Sequence, residues 1–184
     1  MKVCKSIKIL KTLIPVALLL LVSACTPVGQ TAISPEVQAL LDRTAIEDLV
    51  LEYYSHLGTG GGKGFGDYFV EDSVLDVDGT VARGQAEIEN LYKRAGGDLP
   101  TARGGTFRML LTNIRVKVNG DSATGEMIWI GLYAATVKAM PEIIEHGREK
   151  GEFVKRDGRW YFKNRMVTSD SGLSGIFAET YYPR

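Results

Sequence analysis

Sulfur and imidazole are scarce in this chain of 184 residues, which holds two cysteines and two histidines. That supply is too small for a zinc cage or a disulfide framework. Net charge is absent as well, with 22 basic residues against 22 acidic. A nucleic-acid binder shows a basic excess gathered on one face, so no nucleic-acid partner is expected. No segment repeats, and the carboxylates are scattered, so neither a metal nor a cofactor is expected. The run Gly60-Gly61-Gly62-Lys63-Gly64 has the composition of a phosphate loop but not its setting. Such a loop follows a strand and opens a long helix, whereas this run follows a helix. What is present is 45% hydrophobic residues over about one domain's length, enough for a single buried core.

The N-terminus reads as an address. Lys2, Lys5, Lys8 and Lys11 precede an apolar run from Leu13 to Val22. The run is shorter than the roughly 20 residues of a bilayer span and matches a secretory signal. It ends in Val22-Ser23-Ala24-Cys25, which resembles the lipobox of bacterial lipoproteins. That resemblance implies a lipid on Cys25, cleavage before it, and membrane attachment through the anchor alone. Losing the four lysines leaves 18 basic residues against 22 acidic. Cys4 leaves with the signal, so the folded part would carry no free thiol. Thr26 after the cysteine implies the outer membrane, periplasmic side, in a Gram-negative host. The expected organisation is a signal over 1–24, a tether over 25–34, one domain over 35–170 and a tail over 171–184.

Helices come first. Ser34-Pro35 supplies an N-cap and a proline at the first helical position. At 100° per residue, Val50, Tyr53 and Leu57 fall within about 40° of Ile46, so one helical face is apolar through Leu57. A helical turn over Phe65–Val70, a strand over Ser73–Val77 and an amphipathic helix over Gln85–Ala95 follow. The period then changes to two. Asn119-Gly120 and Asp157-Gly158 each predict a tight type I′ hairpin. The first joins strands Thr112–Val118 and Asp121–Tyr133, the second Glu145–Arg156 and Arg159–Thr168. Helices followed by antiparallel strands indicate an α+β layer fold.

The second hairpin assigns faces. A two-residue turn pairs Phe153 with Phe162, Glu152 with Lys163, Lys150 with Arg165 and Glu149 with Met166. Trp160, Phe153, Phe162, Gly151, Asn164, Met166 and Glu149 then share an apolar face. Glu152, Lys163, Lys150 and Arg165 face solvent. Glu149 is thus a carboxylate aimed at an apolar interior, where it must be paired or have a raised pKa.

The order of these pieces resembles the NTF2-like superfamily, in its SnoaL-like branch with scytalone dehydratase and the bile-acid dehydratases. The pieces are Ala45–Tyr54, Phe69–Val74, Gly84–Ile88, Leu111-Thr112-Asn113-Ile114, and Gly147-Arg148-Glu149 through Trp160. The resemblance implies a cone, a curved sheet wrapped on helices around an apolar pocket. It also implies an Asp near the end of the first helix and a His four residues before Asn113. Those places hold Gly58-Thr59 and Met109. Neither threonine nor methionine moves a proton near neutral pH, so the dehydratase set is absent from them.

A small, mainly apolar ligand is therefore the expected occupant, with Met109, Trp129, Phe153, Phe162 and Asn164 as candidate contacts. The competing reading is a cofactor-independent lyase, isomerase or hydrolase acting on a cyclic or aromatic substrate. It uses Glu149 as base with Tyr54 or Arg108 as partner. Without such a role, Glu149 is expected to pair with Arg108 or Arg148. Tyr54 and His56 sit on opposite margins of the first helix's apolar face. His146 falls on the solvent side, and Asp76 and Asp78 are expected to be solvated beside the Gly79 turn. Ile128 and Ile130 lie opposite Trp129, so both sides of that strand are apolar and a homodimer is expected.

Overall fold

Ser34 caps the first helix as its chemistry predicts, its Oγ accepting the amide of Val37 at 3.3 Å. The computed structural model describes residues 33–58, 64–96, 104–173 and 175–181. The signal, Cys25, most of the tether and residues 59–63 lie outside the described residues. Helix α1 (Pro35–Gly58) buries Ile46, Leu49, Val50, Tyr53 and Tyr54. Leu57 is half-buried at its end. A 3₁₀ turn (Phe65–Tyr68) leads into β1 (Phe69–Val77), so the strand begins earlier than its apolar alternation suggests. A short strand that the sequence pattern did not reveal, β2 (Thr80–Arg83), pairs back on β1 before helix α2 (Gly84–Ala95).

Four long strands follow: β3 (Thr106–Asn119), β4 (Ser122–Ala134), β5 (Glu142–Arg156) and β6 (Arg159–Ser171). The chain closes with a single helical turn, α3 (Gly175–Ala178). The sheet order is β2-β1-β6-β5-β4-β3, with β1 parallel to β6 and all other neighbours antiparallel. This is the α+β architecture expected, with the helices on one face of the sheet. Tyr53, Phe65, Phe69, Phe107, Phe153 and Phe162 are among the largest buried side chains. Burying each contributes about 2–3 kcal/mol before entropy is set against it.

The two hairpins differ. Asp157 and Gly158 both take positive φ, 49° and 79°, as a type I′ turn requires. In the other hairpin Asn119 pairs with Ser122, so Gly120-Asp121 forms the turn instead of Asn119-Gly120. Only Gly120 is at positive φ there, which is the type II′ pattern.

A bulge corrects part of the face assignment. Lys155, Val154 and Phe153 pair with Trp160, Tyr161 and Phe162 as the turn dictates. The register then slips, and Glu152 pairs with Asn164 instead of Lys163. Beyond that point β6 is inverted: Arg165 and Val167 turn inward, while Asn164 and Met166 turn outward. The extra residue is Lys163, which has no register partner on β5 or on β1. Lys163 reaches β1, its Nζ donating to the backbone oxygen of Asp72 at 2.9 Å and pairing with that residue's carboxylate at 2.5 Å. The slip sits on β6 alone, so Glu149 on β5 keeps its inward direction and is 1% exposed.

Candidate functional site

The centre of the domain is polar at one point. Arg165, brought inward by the bulge, forms a bidentate pair with Glu149, Nε to Oε1 at 2.6 Å and Nη2 to Oε2 at 2.7 Å. Tyr54 donates its hydroxyl to the same Oε2 at 2.5 Å. Arg165 Nη1 donates to the hydroxyl of Tyr92 at 3.2 Å, and Tyr92 in turn meets the hydroxyl of Tyr53. The guanidinium carbon lies 4.1 Å from the Tyr53 ring centre, within cation–π range. Burial, and then the charge of Glu149, hold the Tyr54 hydroxyl well above its ordinary pKa, so it stays a donor.

This arrangement answers one expectation and changes another. Tyr54 and Glu149 are brought together. The arginine beside Glu149 is Arg165, not Arg108 or Arg148. Arg108 donates to the backbone oxygen of Phe107, and Arg148 pairs at 3.6 Å with Asp170, more than half exposed. A charge pair so dry is stable only because its hydrogen bonds are complete.

Beside this network lies an open cavity of about 90 Å³. Tyr54 and Leu57 of α1, Tyr92 and Ala95 of α2, and Met109, Trp129 and Glu145 of the sheet line it. Arg165, Val167 and Ser169 line the β6 side, and Leu173 and Phe177 bring the C-terminal segment to its wall. Of the residues singled out from sequence, Tyr54, Met109 and Trp129 line this space. Phe153 and Phe162 are buried in the core, 2% and 0% exposed, and do not line it. Asn164 is corrected outright: the bulge turns it to the outer face, where it donates to Glu152.

His56 stacks on Phe65 at 4.6 Å between ring centres, away from the cavity lining. His146 is exposed, as its parity predicts. Asp78 departs from expectation. It is 3% exposed, and its carboxylate accepts the backbone N–H of Ser169 at 2.9 Å and the Ser169 hydroxyl at 2.6 Å. Asp76 accepts the amide of Gly79 at 2.8 Å, the usual Asx bond at a turn.

Glu145 was missed by the sequence reading. Burial alone raises its carboxyl from the ordinary 4.5 to about 7. A signal for it existed, because Glu145 has the same strand parity as Glu149 four residues later. Arg165 carried no such signal, since simple alternation from the turn places it outside.

The profile of the SnoaL-like domain matches residues 38–166. The chain belongs to the SnoaL-like domain family. Solved structures share the fold. A protein of unknown function from Mycobacterium tuberculosis is 27% identical, with 76% of this chain and 78% of that one covered and a TM-score of 0.63. A candidate scytalone dehydratase from Novosphingobium aromaticivorans is 21% identical, with 79% and 91% covered and a TM-score of 0.59. An NTF2-like protein with a cystatin-like fold from the same organism is 20% identical, with 80% and 94% covered and a TM-score of 0.60. No curated protein gives a match. This SnoaL-like domain therefore has the NTF2-like cone, with Met109 on its cavity wall.

Proposed function

We propose that this SnoaL-like domain holds a small, mainly apolar molecule in its cone, and that a lipid on Cys25 attaches it to the bacterial envelope. The observation that carries the reading is the cavity wall, where Leu57, Val77, Met109, Trp129, Val167 and Phe177 outnumber the polar groups. Glu149 and Arg165 satisfy each other beside it. A pocket with this make-up gains from burying apolar ligand surface.

Toluene is a suitable probe. At ten times its Kd, binding adds about 1.4 kcal/mol to stability. For a domain of this size that raises Tm by about 3–5 °C. No rise in Tm at any soluble concentration removes the reading. The anchor is tested separately by Cys25→Ser, which should move the protein from the membrane fraction to the soluble one. An unchanged distribution removes that part alone.

A second reading is a lyase, isomerase or hydrolase with Glu149 as base and Tyr54, 2.5 Å away, as its partner. Glu149→Gln should then lower kcat by about 100-fold or more on a cyclic substrate. Unchanged turnover removes it. Leu110, Ile128 and Met166 are exposed on the outer sheet face, 48%, 38% and 37%. We assign that face to a second copy of this chain, and sedimentation as a monomer at high concentration would argue against it.

A further inference from the structure

Helix α1 is apolar on two sides. Ile46, Leu49, Val50 and Tyr53 form the side buried in the core. Val37, Leu40 and Leu41 are 48%, 59% and 51% exposed, and Ile33, just ahead of the Ser34 cap, is 57% exposed. At 100° per residue, Val37, Leu40 and Leu41 span an arc of about 100° on the side opposite Ile46 and Tyr53. Single exposed apolar side chains are ordinary, whereas a contiguous patch marks a contact surface. The patch is confined to one end of the helix. Thr44, Glu47 and Asp48 follow on the same side, ahead of a lone exposed Leu51.

The fold makes no use of this patch. Asp42 is the first buried residue of α1, and it is where the helix meets the sheet. Lys155 Nζ and Trp160 Nε1 both donate to its Oδ1, at 2.6 and 3.0 Å. The two turns before Asp42 hold their apolar side chains in the open, at a cost in water contact that the core does not offset. The charges around the patch exclude an anionic occupant. Glu36, Glu47 and Asp48 flank it, and the nearby cation, Arg43, is paired with Glu47 at 2.9 Å.

We propose that the outer side of the first two turns of α1, with Ile33, Val37, Leu40 and Leu41, docks on the bilayer that holds the Cys25 anchor. The proposal rests on the anchor reading above. Its support is the place of the patch along the chain. Cys25 stands eight residues before Ile33, so a lipid there cannot be more than about 29 Å of chain away. The apolar outer side begins where that reach ends and stops two turns later. A short tether also makes a weak contact sufficient, because the second binding event is intramolecular at an effective concentration of order mM. The patch then lies in the interface as a short amphipathic helix does, its apolar side chains among the acyl chains and Glu36, Arg43 and Glu47 in water. Uncharged lipid is enough for such a contact, which owes nothing to basic residues.

The test places a fluorophore on the patch. The full-length gene is expressed, and the protein is taken from the membrane fraction into phosphatidylcholine vesicles containing nitroxide-labelled lipid. Leu40→Cys and Val137→Cys are each labelled with a nitrobenzoxadiazole dye; both positions are exposed, so neither change disturbs the core. Val137, in the β4–β5 connection, is the apolar control away from α1. At position 40 the dye should shift to the blue and be quenched by the nitroxide lipid, and at position 137 it should do neither. Adding Val37→Glu and Leu41→Glu to the Leu40→Cys protein should abolish both signals while the protein still floats with the vesicles. Persistence of the signals in that variant, or equal quenching at position 137, overturns the proposal. A blue shift without lipid quenching marks a second copy or another protein on the patch and overturns it as well. In each of these cases the anchor reading stands. A wild-type protein that takes up the dye through a free thiol, or that fails to float, removes the anchor reading and this proposal with it.

Discussion

Replacing Glu145 with glutamine isolates the consequence of one dry carboxyl. Its pKa is raised from the ordinary 4.5 to about 7, and burial is the whole cause. Between those values the folded protein keeps a proton that the unfolded chain has released. Folding is therefore linked to proton uptake at this residue, and its penalty grows as the pH rises. Below pH 4.5 both states are protonated and the residue costs nothing through its charge. Above pH 7 both are ionised and the cost levels off. At about 1.4 kcal/mol per tenfold change, the full penalty reaches about 3 kcal/mol. That figure is a ceiling, because Glu145 is half-buried and water offsets part of it.

Glutamine keeps the shape over Gly131 without the charge. Glu145→Gln should match wild type near pH 4.5 and exceed it by up to about 3 kcal/mol at pH 8. Urea unfolding at a series of pH values, followed by tryptophan fluorescence, reads the difference directly, provided the slope m stays constant. A difference that does not vary with pH, or one that favours wild type at high pH, would refute the desolvation of this carboxyl.

Three other outcomes follow from the same geometry. Arg165→Met removes the cation that Glu149 is bonded to in a dry site and should cost about 3–5 kcal/mol in urea unfolding at pH 7, most of it recovered by adding Glu149→Leu. Gly147→Ala places a Cβ 2.2 Å from the backbone oxygen of Thr168 and 2.5 Å from the Trp129 ring, so it should lower stability by about 2 kcal/mol or more; a neutral result in thermal unfolding would contradict the close approach of β5 to β6. Asp78→Ala removes the acceptor for both the N–H and the hydroxyl of Ser169 and loads a positive φ of 51° onto alanine, for an expected loss of about 2–3 kcal/mol by the same assay.

Much of the fold was legible because its signals are local. The cap at Ser34, the apolar stripe from Ile46 to Tyr53 and the Asp157-Gly158 turn each depend on residues within a few positions of one another. Parity counted from that turn placed Phe153 and Glu149 inward, because nothing intervenes on β5 between the turn and residue 149. The same count extended along β6 misplaced Asn164, Arg165 and Met166. It passed through a bulge at Lys163, whose side chain bonds Asp72 on a strand more than 80 residues earlier in the chain.

Local sequence signals specified the secondary-structure periods, the α+β layering, the inward aim of Glu149 and the resemblance to the SnoaL-like family, which the family match bears out. Tertiary structure alone decided which arginine neutralises that acid, which carboxyl is left dry at the cavity wall, and that Asp78 is buried on Ser169. The division has a physical cause. Turn geometry and alternation are properties of neighbouring residues, whereas desolvation and ion pairing depend on what distant strands and helices bring to the same point.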